Sequence, residues 1–400
     1  MSLLTLDDLV AARNSIADVL RATPAVRSHS LTKRLGREVW LKPEFRQRTG
    51  SFKIRGAYNR LSRLPVGSHV VAGSAGNHAQ GVALAAQLLG HRSTIFMPAA
   101  ASIPKLSATR SYGAEVVLGG ATVDDCIVSA KAFAAEHGAV FVPPFDHPDI
   151  LAGQGTIGLE LLDDVADLAT VVVAIGGGGL CGGVAAAVKL KRPDVAVIGV
   201  SADGASSMVG SLADGRPVAV EPATIADGIA LRSPTELTLA HVAAFVDDVV
   251  TVSDDEITGA MLLLLERAKA VVEPAGAAPL AAAVAGRIGP DLGPTALVLG
   301  GGNVDPLLLA RCIEHGLGST GRYLRLRFVT TDRPGSLAAL TTELAEMGLN
   351  VLEVAHHRSG MRLPVNAVEI LVVVETRDDE HRHEVLALFR AKGYEVDIVE

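Results

Sequence analysis

The sequence predicts an α/β protein with a small α+β domain at its C-terminal end, and three observations support this fold class. Short β-branched runs alternate with alanine- and leucine-rich helical stretches between residues 33 and 303. Several apolar runs lack the alternation of a half-exposed strand, as expected where helices cover a parallel sheet on both faces: Val171–Ile175, Val195–Val200 and Ala296–Leu299. Charged residues are denser after residue 321, where we expect a second domain to begin.

The predicted elements of the first part follow in chain order. The N-terminal stretch is typical of an amphipathic helix capped near Thr5, and its early acidic residues exclude a signal peptide. Alternating elements come next: strand His69–Ala72, helix Ala79–Leu89, strand Thr94–Met97 and helix Lys105–Tyr112. The uncharged stretch Leu168–Val188 is long enough to span a membrane, but Gly176–Gly179 would break such a helix. We therefore expect a buried strand, a loop and a helix there.

The tail after residue 321 is predicted to alternate strands and helices in a different order. Its elements are strand Arg322–Val329, helix Ser336–Met347, strands Asn350–His356 and Val365–Glu375, helix Asp379–Lys392 and strand Glu395–Val399. This βαββαβ order is ferredoxin-like.

The composition restricts the class of partner. The chain has 400 residues with 44 acidic and 36 basic side chains, a net charge of -8, and 49% apolar residues, which suffice for packed cores. It contains no Lys/Arg-rich block, so nucleic acids and membrane surfaces are poor candidate partners, and small metabolites are favoured. Cys126, Cys181 and Cys312 form no CxxC pair, which supports neither disulfides nor a zinc site and indicates a reducing cytoplasm.

Three glycine-rich loops follow apolar strands: Gly73–His78, Gly176–Leu180 and Gly300–Asn303. In open parallel sheets, ligands bind where such loops leave the carboxyl ends of the strands, and glycines let backbone N–H groups approach an anion. The middle loop also matches the dinucleotide pattern GxGxxG through Gly177, Gly179 and Gly182, with Asp203 near the end of the next strand. A NAD-dependent dehydrogenase is therefore one alternative, although four consecutive glycines favour a cup around a single phosphate.

A set of motifs distinguishes between a dinucleotide and a cofactor that carries a single phosphate. Trp40–Glu44, Ser51–Ala57, Ser74–Gly81, the tetraglycine loop and Gly301–Asn303 occur in this order. Together they resemble the threonine dehydratase (threonine ammonia-lyase) group of fold-type II pyridoxal-phosphate enzymes. That resemblance implies a two-lobed, tryptophan synthase β-like catalytic domain with parallel-sheet cores.

The resemblance covers residues 5–317 and sets the expected domain limits. We expect a catalytic domain at residues 1–317, with a small lobe at about 45–150 inserted in the large one. The segment Asp332–Leu337 resembles an ACT domain, which would occupy residues 322–400.

The resemblance also assigns roles around pyridoxal 5'-phosphate. Lys53 would hold the cofactor's aldehyde as a Schiff base and, once released, would remove the Cα proton of the substrate. Asn77 would bond the 3-hydroxyl of the ring. The glycine loop would wrap the phosphate, which is also a candidate proton donor to the leaving hydroxyl. The implied cofactor-binding residues are Phe52, Lys53, Asn77, Gly176, Gly177, Gly178, Gly179, Leu180, Glu273 and Gly300.

The implied substrate site is the loop of Ser74, Ala75, Gly76, Asn77 and His78, whose backbone N–H groups would meet the substrate carboxylate. For Asn77 and His78 the alternative role is helix capping, since asparagine is favoured where a strand turns into a helix. Glu273 could likewise cap a helix.

Three departures from the related enzymes change the expected chemistry. Gly300 stands where dehydratases usually have a serine that bonds the pyridine nitrogen, so the ring needs another partner or activity is altered. Ala75 stands where racemases have a second serine, which favours elimination over racemisation. Ser201 replaces a metal-binding acid, and the histidines at 356, 357, 381 and 383 lack suitable partners, so we expect no metal site.

The expected function is dehydration and deamination of L-threonine, and more slowly of L-serine, to the 2-oxo acid and ammonia. The pathway would be isoleucine biosynthesis or threonine catabolism, in the cytoplasm. Two alternatives remain: a dehydratase of another 3-hydroxy amino acid such as 3-hydroxyaspartate, and a weakly active amino-acid sensor that binds the cofactor.

The ACT-like tail implies assembly and regulation. ACT domains typically pair, so we expect a homodimer or homotetramer with an amino-acid effector, isoleucine or valine, bound between subunits. The alternative is a tail that only assembles the oligomer. The expected effector residues are Asp332, Pro334, Gly335, Ser336, Leu337, Asn350, Val351 and Leu352.

Overall fold

The computed structural model describes residues 2–289, 292–319, 321–358 and 363–399. Within it the chain divides into two compact units, Met1–Leu308 and Leu309–Glu400. This division falls inside a helix, about ten residues before the limit expected from sequence, so the predicted domain limits at 317 and 322 stay a prediction.

The first unit is built from strands that alternate with helices. Its strands are β1 Val26–Arg27, β2 Val39–Lys42, β3 His69–Gly73, β4 Arg92–Met97, β5 Glu115–Leu118, β6 Val140–Phe141, β7 Thr170–Ala174, β8 Ala196–Ala202, β9 Asp248–Val252 and β10 Thr295–Val298. Its helices are α1 Leu6–Ile16, α2 His29–Leu35, α3 Lys53–Leu61, α4 Asn77–Leu89, α5 Ile103–Ser111, α6 Val123–His137, α7 Pro148–Asp164, α8 Gly179–Lys191, α9 Ser207–Asp214, α10 Glu236–Phe245, α11 Asp254–Leu263 and α12 Pro274–Val284. Helix α13, Pro306–Ser319, contains the division between the units.

Two sheets form the cores of the first unit. The larger has the order β1-β2-β10-β7-β8-β9 and is parallel except for the β1–β2 pair. The smaller has the order β5-β4-β3-β6 and is parallel throughout. Strand β7 is buried at every position, because helices cover both faces of its sheet. The predicted two-lobed α/β fold with parallel-sheet cores is confirmed.

Local predictions agree with this fold to within a few residues at the ends of elements. Thr5 caps α1 in a capping box with Asp8. The uncharged stretch Leu168–Val188 forms β7, a glycine loop and the start of α8, as expected. Among the described residues, no helix is both long and apolar enough to cross a membrane.

The second unit has the predicted βαββαβ order. Its elements are β11 Tyr323–Thr331, α14 Ser336–Glu346, β12 Val351–His357, β13 Ala367–Glu375, α15 Asp379–Ala391 and β14 Glu395–Ile398. They form an antiparallel sheet of order β12-β13-β11-β14, and one face of the sheet packs against the helices around Phe328, Leu344 and Phe389. Strand β12 ends at His357, one residue beyond the predicted end at His356, since the ladder to β13 extends to Glu369.

Candidate active site

One cavity of about 200 Å³ collects every residue predicted to bind cofactor or substrate. Its walls come from loops at the carboxyl ends of strands in both sheets, where open α/β proteins bind ligands. The predicted residues that line it are Phe52, Lys53, Ser74, Ala75, Gly76, Asn77, His78, Gly176, Gly177, Gly178, Gly179, Leu180, Glu273 and Gly300.

Lys53 is the first residue of α3, and the turn before it adopts an unusual backbone conformation. Thr49 and Gly50 both have left-handed φ values, 63° and 70°, which turn the chain sharply into the helix. The Lys53 ammonium donates to the carbonyl oxygen of Pro144 at 3.0 Å and lies over the Phe52 ring. Burial lowers the pKa of Lys53 from 10.5 to about 8, against the opposing charge of Glu273. A fraction of this amine is therefore neutral near pH 7.

A buried ion-pair network holds this end of α3. The Arg55 guanidinium, fully buried, donates to both carboxylate oxygens of Glu44 at 2.8 Å and to Glu160 on α7 at 2.6 and 2.9 Å. Lys42, also buried, donates to Glu160 at 2.6 Å. Bidentate pairing of this kind fixes the geometry of both partners. Arg55 thereby ties the helix that carries Lys53 to the turn that follows β2 and to α7.

The tetraglycine loop leaves no room for side chains. A Cβ at Gly177 would stand 2.6 Å from carbons of the Phe145 ring, and one at Gly176 would stand 2.8 Å from the backbone of Ile229. Gly178 has a φ of 89° and caps α8. The first backbone N–H groups of α8 lack intrahelical partners, so they and the helix dipole favour an anion at this end.

Asn77 and Glu273 form one hydrogen-bonded chain with Asn303. The Asn77 amide donates to Glu273 Oε1 at 2.7 Å and accepts from Asn303 Nδ2 at 2.7 Å, while Asn303 also donates to the Thr49 carbonyl at 2.6 Å. Burial first, and then the charge of Asp227, raise the pKa of Glu273 to about 7. Asn77 is the first residue of α4, but Gly76 is the N-cap and no side chain caps this helix end, so the alternative role of Asn77 as a helix cap is wrong.

The loop before α4 contributes fewer free donors than the sequence implies. The backbone N–H of Ser74 already donates to the Phe96 carbonyl at 3.0 Å, and that of Gly76 donates to the Ser74 hydroxyl at 3.3 Å. His78 is buried and bonds the Val142 carbonyl through Nε2 at 2.9 Å, so that nitrogen carries the proton. Burial and the Lys53 charge lower the pKa of His78 to about 3. This histidine is neutral and structural.

Gly300 has apolar neighbours on its cavity side. A Cβ there would lie 3.3 Å from the Phe52 ring and 3.7 Å from Leu180 Cδ2. Its carbonyl accepts from the Phe52 backbone N–H at 3.0 Å, which anchors the turn before Lys53. The atoms nearest to the position of the missing serine's Cβ are therefore all apolar.

Sequence reasoning missed a charged pair in the cavity wall. Lys105 on α5 donates to Asp227 Oδ2 at 2.6 Å, and both residues line the cavity. Phe145, on which the glycine loop packs, was also missed. The Asp227-Gly228 dipeptide is a turn signal, but nothing in the sequence pairs it with a lysine 122 positions earlier.

The residues present fit pyridoxal phosphate. The cavity offers a buried amine of lowered pKa for an aldehyde, a glycine cradle at a helix N-terminus for a phosphate, and the Asn77 amide for a ring hydroxyl. Within the described residues, no group of three or more His, Cys, Asp or Glu side chains could hold a metal ion. Ser201 is buried and donates to the Ile175 carbonyl at 3.2 Å.

The predicted effector residues fall into two groups at opposite ends of the antiparallel sheet. One group, Asp332, Pro334, Gly335, Ser336 and Leu337, lies between the end of β11 and the start of α14. The other, Asn350, Val351 and Leu352, lies beside Glu375, which pairs with the first residue of β11. Strand β11, which runs between these two ends of the sheet, has nine residues and is about 27 Å long at about 3.4 Å per residue. A single chain does not bring them together.

Comparisons with known proteins agree with this geometry. The family model described as pyridoxal-phosphate dependent enzyme matches residues 16–301, and the ACT domain model matches residues 324–394. The L-threonine ammonia-lyase of Thermotoga maritima is 44% identical over 401 residues, covering 99% of this chain and 100% of that protein. The L-threonine ammonia-lyase of Geobacter sulfurreducens is 45% identical over 384 residues, covering 95% and 96%.

A solved structure gives the same result. The structure of the processed form of threonine deaminase isoform 2 from Solanum lycopersicum has a TM-score of 0.73 and 36% identity, covering 77% of this chain and 92% of that one. These matches extend over the cavity and the loops that form it. The chain therefore belongs to the pyridoxal-phosphate dependent enzyme family, as a homologue of the L-threonine ammonia-lyases with a C-terminal ACT domain.

Proposed function

We propose that this protein is a pyridoxal-phosphate dependent L-threonine ammonia-lyase. It would convert L-threonine to 2-oxobutanoate and ammonia, and more slowly L-serine to pyruvate and ammonia. The observation that supports this most is the placement of Lys53, a buried amine of lowered pKa, in one cavity with a phosphate-sized glycine cradle. The named activity of two relatives that match over nearly the whole chain supports the same substrate.

The reaction requires that the Cα proton of the substrate be acidic enough to remove, and the bound cofactor would increase its acidity. When bound, pyridoxal phosphate supplies an electron-accepting ring conjugated to the substrate nitrogen. Gly176–Leu180 would hold its phosphate, and Asn77 would orient its ring through the ring hydroxyl. Phe52 and Gly300 would lie next to the ring. Ala75, Asn77 and His78 would present backbone N–H groups to the substrate carboxylate.

Lys53 is the proposed catalytic base. With a pKa of about 8, roughly a tenth of the Lys53 amine is neutral at pH 7, against a few parts in ten thousand at the ordinary value of 10.5. The neutral amine therefore accepts the Cα proton at Nζ, and converting the ammonium to this neutral form costs little free energy near pH 7. Loss of the 3-hydroxyl as water and hydrolysis then yield the 2-oxo acid and ammonia. Ala75 offers no acid on the opposite face, which favours elimination over racemisation.

The surroundings of the reaction are proposed from the same family membership. The enzyme would work in the cytoplasm, in isoleucine biosynthesis or threonine catabolism, as a homodimer or homotetramer. Its ACT domain would bind isoleucine or valine between subunits, because the two groups of effector residues are too far apart within one chain. The coupling between the two sites would be about 1–3 kcal/mol.

A spectrum and a product assay test the proposal together. The purified protein should show the visible absorption of bound pyridoxal phosphate and should release 2-oxobutanoate from L-threonine. Lys53→Ala should lose both, whereas Lys33→Ala, on the exposed face of α2, should keep both. Absence of any bound cofactor would sink the proposal. Cofactor without turnover would favour an amino-acid sensor instead.

A further inference from the structure

A charged pair closes one side of the cavity. Lys105 on α5 and Asp227, in the loop between α9 and α10, join at 2.6 Å. The side chain of Lys105 is 20% exposed and that of Asp227 is 59% exposed. A neighbouring cavity of about 380 Å³ is also lined by Ala75, Lys105 and Asp227. The pair therefore stands between the inner cavity and an outer one that opens toward solvent.

The charges that face the inner cavity are few. Among the described residues that line it, the titratable groups are Lys53, His78, Lys105, Asp227 and Glu273, and no arginine is present. His78 is neutral, and Lys53 is committed to the cofactor in the proposed function. Lys105 is the remaining cation, and Asp227 already neutralises it.

The negative charge of Asp227 acts on groups inside the inner cavity. Gly228 packs against Ala275, and a Cβ at Gly228 would stand 3.7 Å from Glu273 Oε1, so the two carboxyl groups occupy the same side of the cavity. Asp227 is the second cause, after burial, of the raised pKa of Glu273. A further anion on this side would meet repulsion and no unpaired cation.

We propose that Asp227 determines substrate specificity by occupying Lys105, so that the cavity accepts 3-hydroxy amino acids with uncharged side chains and excludes acidic ones such as 3-hydroxyaspartate. This inference rests on the proposed lyase function and names the class of its substrate. The substrate's single carboxylate can be met by backbone N–H groups of the loop before α4. A second carboxylate needs a cation, because burying it unpaired is strongly unfavourable. Among the described residues that line the cavity, Lys105 is the one cation not assigned to the cofactor, and its charge is already paired with Asp227.

The test compares kcat/KM for L-threonine and L-threo-3-hydroxyaspartate in four proteins with bound cofactor. They are the wild type, Asp227→Asn, Lys105→Met and the double variant. The wild type should strongly prefer threonine. Asp227→Asn should raise the hydroxyaspartate-to-threonine ratio about tenfold, because it frees the Lys105 charge for the second carboxylate. In the Lys105→Met background the same change should give no such gain.

A matched control separates this effect from a general change of charge. Asp214→Asn removes a carboxylate of 50% exposure that is paired with Arg216 and lines neither cavity, so the ratio should stay unchanged. Equal kcat/KM for the two substrates in the wild type would overturn the inference. An unchanged ratio in Asp227→Asn, or the same gain with and without Lys105, would overturn it as well.

A binding measurement keeps the inference testable without turnover. Calorimetry with L-2-aminobutyrate and L-aspartate, which lack the 3-hydroxyl, should show that Asp227→Asn strengthens aspartate binding relative to aminobutyrate only when Lys105 is present. If no 2-oxo acid forms from either substrate, the proposed lyase function fails, while this relative affinity still decides the role of Asp227. An unchanged relative affinity would count against that role.

Discussion

The cavity of the first unit and the effector residues of the second were both predicted from short motifs, but they assemble differently. The predicted residues of the cavity come from five separate segments, from Phe52 to Gly300, and all of them line it. The effector residues come from only two neighbouring segments, yet they lie at opposite ends of their sheet. Distance along the sequence therefore gives no guide to distance in the fold.

Strand direction explains the contrast. In a parallel sheet every carboxyl end lies at the same edge, so the loops after β7 and β10 converge whatever their separation in sequence, and the loop after β3 of the smaller sheet lines the same cavity. In the second unit β11 and β12 both pair antiparallel with β13 and therefore run in the same direction, so the loop after β11 and the turn before β12, which α14 joins, lie at opposite ends of the sheet. One chain therefore brings the predicted residues of the first site together, whereas it leaves the two groups of predicted effector residues apart.

The largest expected effect concerns the buried ion pairs of the first unit. Arg55→Met leaves Glu44, itself fully buried, without its partner and should lower the free energy of unfolding by about 3–5 kcal/mol. Urea unfolding followed by the fluorescence of Trp40, the one tryptophan of the sequence, reports this unit. The control is Arg327→Met in the second unit, whose side chain is 34% exposed and whose loss should cost under about 1 kcal/mol by circular dichroism. Similar costs at both sites would contradict the contrast.

The next effect tests the glycine cradle. A methyl group at Gly177 would press on the Phe145 ring, an overpacking cost of about 1–3 kcal/mol, so Gly177→Ala should weaken cofactor binding about tenfold to a hundredfold. Adding Phe145→Ala should restore part of the affinity. Gly259→Ala, in α11 with nothing within 4 Å of the added carbon, should leave affinity unchanged. Affinity unaffected by Gly177→Ala would argue against a phosphate at this loop.

A pH dependence of about tenfold per unit follows from Lys53. Only a neutral amine attacks an aldehyde, so the rate at which cofactor-free protein binds pyridoxal phosphate should rise up to about pH 8 and level off above. Glu273→Gln removes a charge that raises the pKa of Lys53, so the inflection should move to lower pH. A rate that keeps rising to pH 10 would show an amine with its ordinary pKa.

The smallest effect tests whether the effector site needs two chains. Asp332→Ala and Asn350→Ala, at opposite ends of the sheet, should each weaken isoleucine or valine binding severalfold in calorimetry. Mixed oligomers of the two variants should regain sites that neither variant has alone, because one interface then pairs two intact halves. If the mixed oligomers bind the effector no better than either variant alone, the site lies within one chain.

Much of the fold was predictable because local signals and tertiary packing agree. The apolar run Val171–Ile175 became the fully buried strand β7, and the βαββαβ tail was found with ends shifted by up to two residues. The predicted end of β12, His356, falls one residue short of the observed end, His357, because hydrogen bonding to β13 extends the strand beyond its apolar residues. The last residues of such a strand are set by the partner strand, which a single segment does not reveal.

The candidate site was predictable where backbone chemistry requires particular residues. Glycines at 176–179 are needed because Phe145 and Ile229 lie directly behind them. The pair Lys105–Asp227 was not predictable, because it joins helix α5 to a loop 122 positions later in the sequence and leaves no local pattern. The substrate loop was only partly foreseen, since the Ser74 and Gly76 N–H groups are used internally.

The central claim is that Lys53 carries the cofactor in this cavity, and one labelling measurement tests it most directly. Borohydride reduction of the purified protein with its cofactor, followed by proteolysis and mass spectrometry, identifies the lysine that becomes covalently modified. The account predicts the mass of the reduced cofactor on the peptide that contains Lys53. Modification of Lys105, the other lysine of the cavity, or no modified peptide at all, would contradict it.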